Sequence, residues 1–515
     1  MDTPLVQMEG IRKTFGDVVA LDNVHFELRY GEIHGLLGGN GAGKTTLMNI
    51  LYGLYHPDAG TIRLRGREVR IRSPRDALRY GIGMVHQHFL QVPPFTVAEN
   101  ILLGTLPKWR PTSYSEEELE KIRSLAQQFG MDVDLQARVE DLPVGVRQRV
   151  EILKVLYRGG DVLILDEPTT NLTPQEVDAL FQSLRAMVDK GLSVVFISHK
   201  IREVRAVCHR VTVLRDGHNV FTAPLEETDE ETLVRGMVGE QLDISTSFLF
   251  SGKKELPPPP ENAPIRVQVE DLAIAGDDEV LAVDGCHFTI RAGEIFGIAG
   301  VAGNGQRELA EGLMGLRPIV RGRARINGIP VEPGKTREIL AGGVAYIPED
   351  RLGDGFLPRA SVAHNLILGY HYRPPYRKGW FLDWKLIMRT AWELIREYNI
   401  RTQGPDDIAA NLSGGNIQRL MLARAFAHPM KVLIAHNPTR GLDIPSMEFV
   451  YRKLLEQRER GTAILLISED LDELMFLADR IGTIYEGRIL GILDRKDFDK
   501  YTIGRMMAGI PAQTG

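Results

Sequence analysis

The feature that most constrains this chain is that it is written twice. The stretch VLILDEPTTNLT at 162–173 returns as VLIAHNPTRGLD at 432–443, with the same apolar run, proline and spacing. Gly31-Glu32-Ile33 returns as Gly293-Glu294-Ile295 and Gly38 as Gly300, an offset of 262. Leu142 pairs with Leu412, Pro168 with Pro438 and Ser198 with Ser468, now at 270. So long a period means duplication of a domain, because solenoid units run only about 20–50 residues. The second copy is eight residues longer, and the extra length is expected within RPPYRKGWFLDWKL. Residues 1–250 and 265–515 are the two expected domains. Between them SGKKELPPPPENAP, 251–264, sets four consecutive prolines among polar residues, an extended and semi-rigid spacer. It can span at most about 45–50 Å, enough to let the halves face each other.

The 515 residues are 43% hydrophobic and 25% charged, an ordinary globular composition with ample core. Net charge is −6, without the basic excess of nucleic-acid binders, so no nucleic-acid partner is expected. The N-terminal MDTPLVQMEGIRKTFG lacks the apolar run of a signal peptide. No stretch approaches the roughly 18 consecutive apolar residues of a membrane span. A cytosolic protein is expected, with any membrane role exercised through a partner. Cys208 and Cys286 lie far apart without metal-ligand spacing and read as unpaired thiols.

Within each half, β-rich runs (EIHGLLG, VLILDEP, LSVVFIS) alternate with helical ones (TTLMNILYGLY, VGVRQRVEILKVLYRG). This predicts an α/β fold with a largely parallel sheet. Between 88 and 160 the pattern turns mainly helical, which predicts an inserted helical subdomain.

GGNGAGKTT, residues 38–46, fits G-x-x-x-x-G-K-[ST] between an apolar strand and a helix, the context of a phosphate-binding P-loop. Glycines at 38, 41 and 43 let backbone N–H groups wrap phosphates, and Lys44 reaches their oxygens. Thr45 holds magnesium, and the helix N-terminus adds positive potential. Apolar VLIL ends in Asp166 and Glu167, carboxylates suited to hold Mg²⁺ and to polarise an attacking water, respectively. His199, after the next apolar strand, is placed for a γ-phosphate, and Gln87 is placed to bridge metal and water. Each has a plainer reading taken singly: acids end strands because loops are polar, and a lone His or Gln is more often structural. The ordered set is what raises them.

That set, with NLSGGNIQR at 411–419, resembles the ATPase subunit of ABC transporters over essentially the whole chain. LSGG before a helix is the most specific motif. The resemblance implies two tandem P-loop NTPase domains, each with a mostly parallel sheet, a small antiparallel β part and a helical subdomain. It implies ATP and Mg²⁺ as ligands. Phe15 would stack on adenine, and Gly38, Asn40, Gly41, Gly43, Lys44, Thr45 and Thr46 would hold the nucleotide. Thr45, Gln87 and Asp166 would serve the metal. Lys44, Gln87, Glu167 and His199 would serve catalysis. Gly39 departs from the acidic residue usual in close relatives.

The second copy has lost most of this. Gln306 and Arg307 replace lysine and hydroxyl, and Glu349 replaces the glutamine. His436 and Asn437 replace the acids, Glu469 the histidine, and Asp277 stands at the position of Phe15. It keeps Leu412-Ser413-Gly414-Gly415 and Gly441-Leu442-Asp443, where the first half reads Leu142-Pro143-Val144-Gly145 and Asn171-Leu172-Thr173. In the family two halves sandwich ATP head to tail. The resemblance therefore implies one complete composite site: the first-half motifs against Ser413, Gly414, Gly415 and Asp443.

The phrasing of the motifs resembles ATP-binding subunits of nucleoside or monosaccharide importers, and Asn437 resembles the nucleoside branch. The expected partners are two transmembrane permeases and an extracytoplasmic substrate-binding protein. The expected location is the cytoplasmic face of the cell (inner) membrane, peripheral. FTVAENILLG (95–104) and ASVAHNLILG (360–369) read either as permease-docking segments or as core helix. A soluble tandem ATPase acting on ribosomes or DNA is the alternative class. It lacks support in a long charged linker, two complete sites or zinc cysteines.

Overall fold

Each half of the duplication builds a buried sheet whose parallel strands all deliver their ends to one edge. The computed structural model describes residues 3–87, 89–105, 114–239, 257–260, 262–277 and 280–511. Contacts divide the chain into two units, Met1–Ile244 and Ser245–Gly515. Of the expected spacer, 251–256 and 261 lie outside the described residues.

In the first unit the six-stranded sheet runs His218–Pro224, Arg210–Arg215, Ile33–Gly38, Ser193–Ser198, Val162–Asp166, Ile82–Val85. All pairings are parallel except the antiparallel edge strand His218–Pro224. Four of these strands are buried at every residue, as continuous apolar runs covered on both faces should be. Their common direction puts the turns after Gly38, Val85, Asp166 and Ser198 at one edge, where open parallel sheets present ligand sites.

A four-stranded antiparallel sheet, ordered Val18–Leu28, Val6–Phe15, Ala59–Leu64, Arg67–Val69, packs beside it. One continuous core joins its Met8 and Ile11 to Leu47 of the P-loop helix and Ile164 of the main sheet. The helical part comprises Val97–Leu102, Glu116–Gln128 and Val144–Tyr157, the first two opened by capping boxes at Thr96/Glu99 and Ser115/Glu118.

The second unit repeats this order: Val344–Ile347, Val432–His436, Ala463–Ser468, Ile295–Ala299, Arg480–Tyr485, Arg488–Asp494, with Ile265–Ala275 in its own small antiparallel sheet. A short hairpin, Arg377–Lys378 with Phe381–Leu382, leads into the helix Trp384–Glu397 within the stretch expected to hold the extra length. Part of that length lies earlier, since the offset has already reached 265 at the helix caps Thr96 and Ser361. Within the segments 95–104 and 360–369 the helices Val97–Leu102 and Val362–Leu366 bury Val97, Ala98, Ile101 and Leu102, and Val362, Ala363 and Leu366, in their own units, while Leu103 is exposed. Both cysteines are free. No helix among the described residues is long and apolar enough to cross a membrane.

The small sheets bend at matching glycines. Gly60 has φ +101° and Gly322 +78°, and a Cβ would meet Gly10 O at 2.6 Å or Asp271 O at 2.1 Å. Left-handed backbone and close approach both demand glycine. Gly60→Ala and Gly322→Ala are each expected to destabilise the chain by about 1–3 kcal/mol. The measurement is the urea midpoint of the full chain, which should fall for each.

Candidate active site

Lys44 begins the helix Lys44–Leu51 and is buried against the loop that precedes it. Its Nζ donates to Gly38 O at 2.7 Å and Gly39 O at 2.9 Å. The loop can close this tightly because Gly41 and Gly43 take φ +80° and +97°, and a Cβ on Gly43 would lie 2.6 Å from Leu21 Cδ2. Burial lowers the Lys44 ammonium, opposed by the nearby charges of Glu167 and Asp166.

Asp166 ends a strand buried at all five residues. Burial pushes its carboxyl up to about 6, with Glu167 adding to the rise and Thr45 and Lys44 opposing it. Thr45 Oγ1 donates to Asp166 Oδ1 at 3.4 Å, so the two oxygens that sequence reasoning assigned to a cation do meet.

Glu167 behaves oppositely. Burial raises it, but the hydrogen bond and charge of His199, with Lys44 and Lys200, more than offset that and hold the carboxyl below its ordinary value. His199 Nδ1 lies 2.8 Å from Glu167 Oε1, and Gln87 Nε2 donates to Glu167 Oε2 at 3.2 Å. Glu167 takes φ +47°, which turns its side chain away from the strand direction into this cluster. Two adjacent carboxyls thus differ in character: burial raises Asp166, while Glu167 is held low and hydrogen-bonded.

Phe15 closes the strand Val6–Phe15, partly exposed, and meets Tyr55 edge to face with ring centroids 5.2 Å apart. Asn40 and Gly41 are exposed on the loop, and Thr46 is half-buried on the helix behind it. Ser413, Gly414, Gly415 and Asp443 belong to the second unit. Ser413 precedes the helix Gly414–Phe426 and its Oγ accepts from Asn416 Nδ2 at 2.8 Å. Asp443 caps the helix Ile444–Glu459, accepting from Ser446 N at 3.0 Å.

The matching positions of the second unit are filled by a different network. Gln306 is buried; its Nε2 donates to Val301 O at 2.9 Å and its Oε1 accepts from Asn304 N at 2.9 Å. Arg307 pairs with Glu311 at 2.7 Å. Arg440 pairs with Glu349 at 2.7 Å, and Asn437 Nδ2 donates to Glu349 Oε1 at 3.2 Å. Burial holds His436 neutral, its Nδ1 without a hydrogen-bond partner among the described residues. Where Phe15 meets Tyr55, Asp277 instead forms an ion pair of 2.8 Å with Arg317. Sequence reasoning missed Arg317 and Arg440. The repeat itself carried the signal for Arg317, since aromatic partners at 15 and 55 become opposite charges at 277 and 317.

The raised Asp166 has a thermodynamic consequence. Between about pH 4 and 6 the folded state holds a proton that the unfolded chain has released, so stability falls as pH rises through that window. Without nucleotide or metal, Asp166→Asn should therefore be more stable than the parent at pH 7.5, by up to about 3 kcal/mol. Thermal melts across pH should show the gain vanish near pH 4, while ATP turnover is lost.

Residues 21–170 and 283–440 match the profile of the ABC transporter family. A glucose import ATP-binding protein of Haloferax volcanii is 41% identical, covering 98% of this chain and 96% of its own. A nucleoside import ATP-binding protein of Lactococcus lactis subsp. cremoris is 40% identical, covering 98% of each chain. A guanosine import ATP-binding protein of Bacillus subtilis is 40% identical, covering 98% of this chain and 97% of its own. With a P-loop, a carboxylate pair and a signature helix in the geometry above, the chain belongs to the ABC transporter family as an ATPase with two of its ATP-binding domains.

Proposed function

We propose that this ATPase energises an importer for nucleosides through one complete ATP site, formed by the Walker motifs of the first unit and the signature of the second. The observation that carries the reading is the Glu167 cluster, a carboxylate held ionised between His199 and Gln87. No such cluster survives around Asn437.

In this reading Lys44 and the loop amides bind the β/γ-phosphates. Ser413 and the N-terminus of its helix, with Gly414 and Gly415, meet the γ-phosphate from the other side, and Asp443 lies beside them. Phe15 carries the adenine. Glu167 orients a water and takes its proton as the water oxygen bonds to the γ-phosphorus and the bridging oxygen leaves with ADP. His199 holds Glu167 and faces the phosphate. The two oxygens that meet here, Thr45 Oγ1 and Asp166 Oδ1, suit Mg²⁺, and the Gln87 amide oxygen would be a third ligand. When bound, the ion would neutralise phosphate charge.

Import ATP-binding proteins work with membrane permeases and substrate-binding proteins. Here we infer two permeases and an extracytoplasmic binding protein, with this chain peripheral at the cytoplasmic face of the membrane. Likeness to nucleoside and guanosine import proteins over nearly the full length supports the substrate class. Likeness to a glucose import protein supports monosaccharides as the second reading. The test is ATPase activity of the chain reconstituted with its permeases and binding protein. Stimulation by nucleosides and not by monosaccharides is expected, and the reverse would select the second reading.

Glu167→Gln should lower turnover by about 10²–10⁴-fold while ATP binding persists, because it removes a base and no phosphate ligand. Equilibrium binding beside steady-state turnover checks both halves of that statement. Ser413→Ala should reduce turnover steeply, whereas Pro143→Ala, at the signature position facing the degenerate motifs, should leave it nearly unchanged. Equal effects of the two substitutions would contradict the head-to-tail pairing.

A further inference from the structure

Glu203 lies in the first turn of the helix Ile201–Val207 and belongs to none of the motifs above. Its Oε2 accepts from two hydroxyls at once, Thr169 Oγ1 at 2.7 Å and Ser198 Oγ at 3.0 Å. Ser198 Oγ accepts in turn from the Lys200 backbone N–H at 3.0 Å. Thr169 sits in the turn that leaves Glu167, and Ser198 immediately precedes His199. One carboxylate therefore ties together the two turns whose side chains meet in the 2.8 Å Glu167–His199 contact. Both hydroxyl residues are buried, so removal of their acceptor would strand them away from water and release the turns.

The second unit contains a related brace without the same chemistry. Glu473 accepts from Thr439 Oγ1 through Oε1 at 2.7 Å and from Ser468 Oγ through Oε2 at 2.5 Å, and Asp470 N donates to Ser468 Oγ at 3.1 Å. Yet the turns it ties carry Asn437 and Glu469. Its electrostatics differ too. Lys200 Nζ lies 3.7 Å from Glu203 Oε1, whereas Glu473 has Asp470 nearby and is pushed up to about 7, chiefly by burial. The duplication thus supplies an internal control: both carboxylates hold turns together, but only one holds a base against a histidine.

We propose that Glu203 is a positioning residue for ATP hydrolysis, fixing through Thr169 and Ser198 the separation at which Glu167 and His199 meet. The proposal rests on the roles given to Glu167 and His199 above. A displacement of about 1 Å at a reacting group can cost on the order of 10²-fold in rate, so a brace that fixes the turns carrying Glu167 and His199 is enough to matter.

The experiment compares Glu203→Ala, Glu203→Gln, Thr169→Val, Glu473→Ala and Glu167→Gln in the full chain, measuring kcat, KM for ATP and melting temperature. Glu203→Ala should lower kcat by about tenfold or more with KM changed less than about twofold. Glu203→Gln should recover most of the rate, because both hydroxyls bond a single oxygen that the amide carbonyl reproduces. Glu473→Ala should lower the melting temperature comparably yet leave kcat near the parent value. Should Glu203→Ala fail to fold, Thr169→Val removes one arm of the brace alone and should show the same fall in kcat at constant KM, in smaller measure. Unchanged kcat in both Glu203→Ala and Thr169→Val beside an inactive Glu167→Gln overturns the brace and spares the site. Equal kcat losses in Glu203→Ala and Glu473→Ala make it merely structural. An active Glu167→Gln overturns the roles of Glu167 and His199 and the brace with them.

Discussion

Everything at the first site depends on ionisable groups being held at the end of a buried strand. Burial drives Asp166 upward and Lys44 downward, each toward its neutral form. Both shifts are signs of one cost, the loss of water around charge. Glu167 escapes because the hydrogen bond and charge of His199, with Lys44 and Lys200, more than offset its burial. Adjacent residues on one strand therefore acquire different chemistry from different partners, which the parallel sheet brings in from three other strand ends.

The second unit shows what happens when those charges are taken away and the backbone is kept. Asn437 retains the φ of +47° that Glu167 has. Asparagine enters the left-handed region more readily than a longer side chain does, so the backbone strain at this position is smaller in the second unit than at Glu167. The remaining acids, Glu349 and Glu469, lie within ion-pair reach of Arg440. Gln306 turns back onto Val301 O much as Lys44 turns onto Gly38 O. Apart from His436 Nδ1, the network pairs its polar groups with one another.

Much of this was legible in the sequence because the motifs are local and repeated. The P-loop, the carboxylate pair, Gln87 and His199 each sit directly after a strand, and parallel pairing aligns the strand ends. The sheet, the small antiparallel part and the helical subdomain followed from the alternation of apolar runs and from the family resemblance. What was not legible is contact between positions far apart in the chain. Thr169 and Glu203 are separated by 34 residues and Glu349 and Arg440 by 91, and no periodicity connects them. The helix segments 95–104 and 360–369 show the other limit: apolar pattern alone does not tell the buried Val97, Ala98, Ile101 and Leu102 from the exposed Leu103.

The two signature helices differ in the charge that stands at their N-termini. In the first unit a Cβ on Gly145 would lie 2.1 Å from Glu176 Oε1, so a carboxylate already stands against the start of the helix Val144–Tyr157. That helix also begins after Pro143, which has no N–H to offer. In the second unit Gly414 and Gly415 have no atom of the described residues within 4 Å of a Cβ position, and Ser446 stands where the first unit has Glu176. A helix N-terminus faced by a carboxylate repels phosphate, while one left open attracts it. The first unit thus keeps the P-loop lysine and carboxylate pair, and the second keeps a signature helix with an open N-terminus. The losses match: negative charge leaves the signature helix of the unit that lacks the Walker lysine, and remains at the signature helix of the unit that has it.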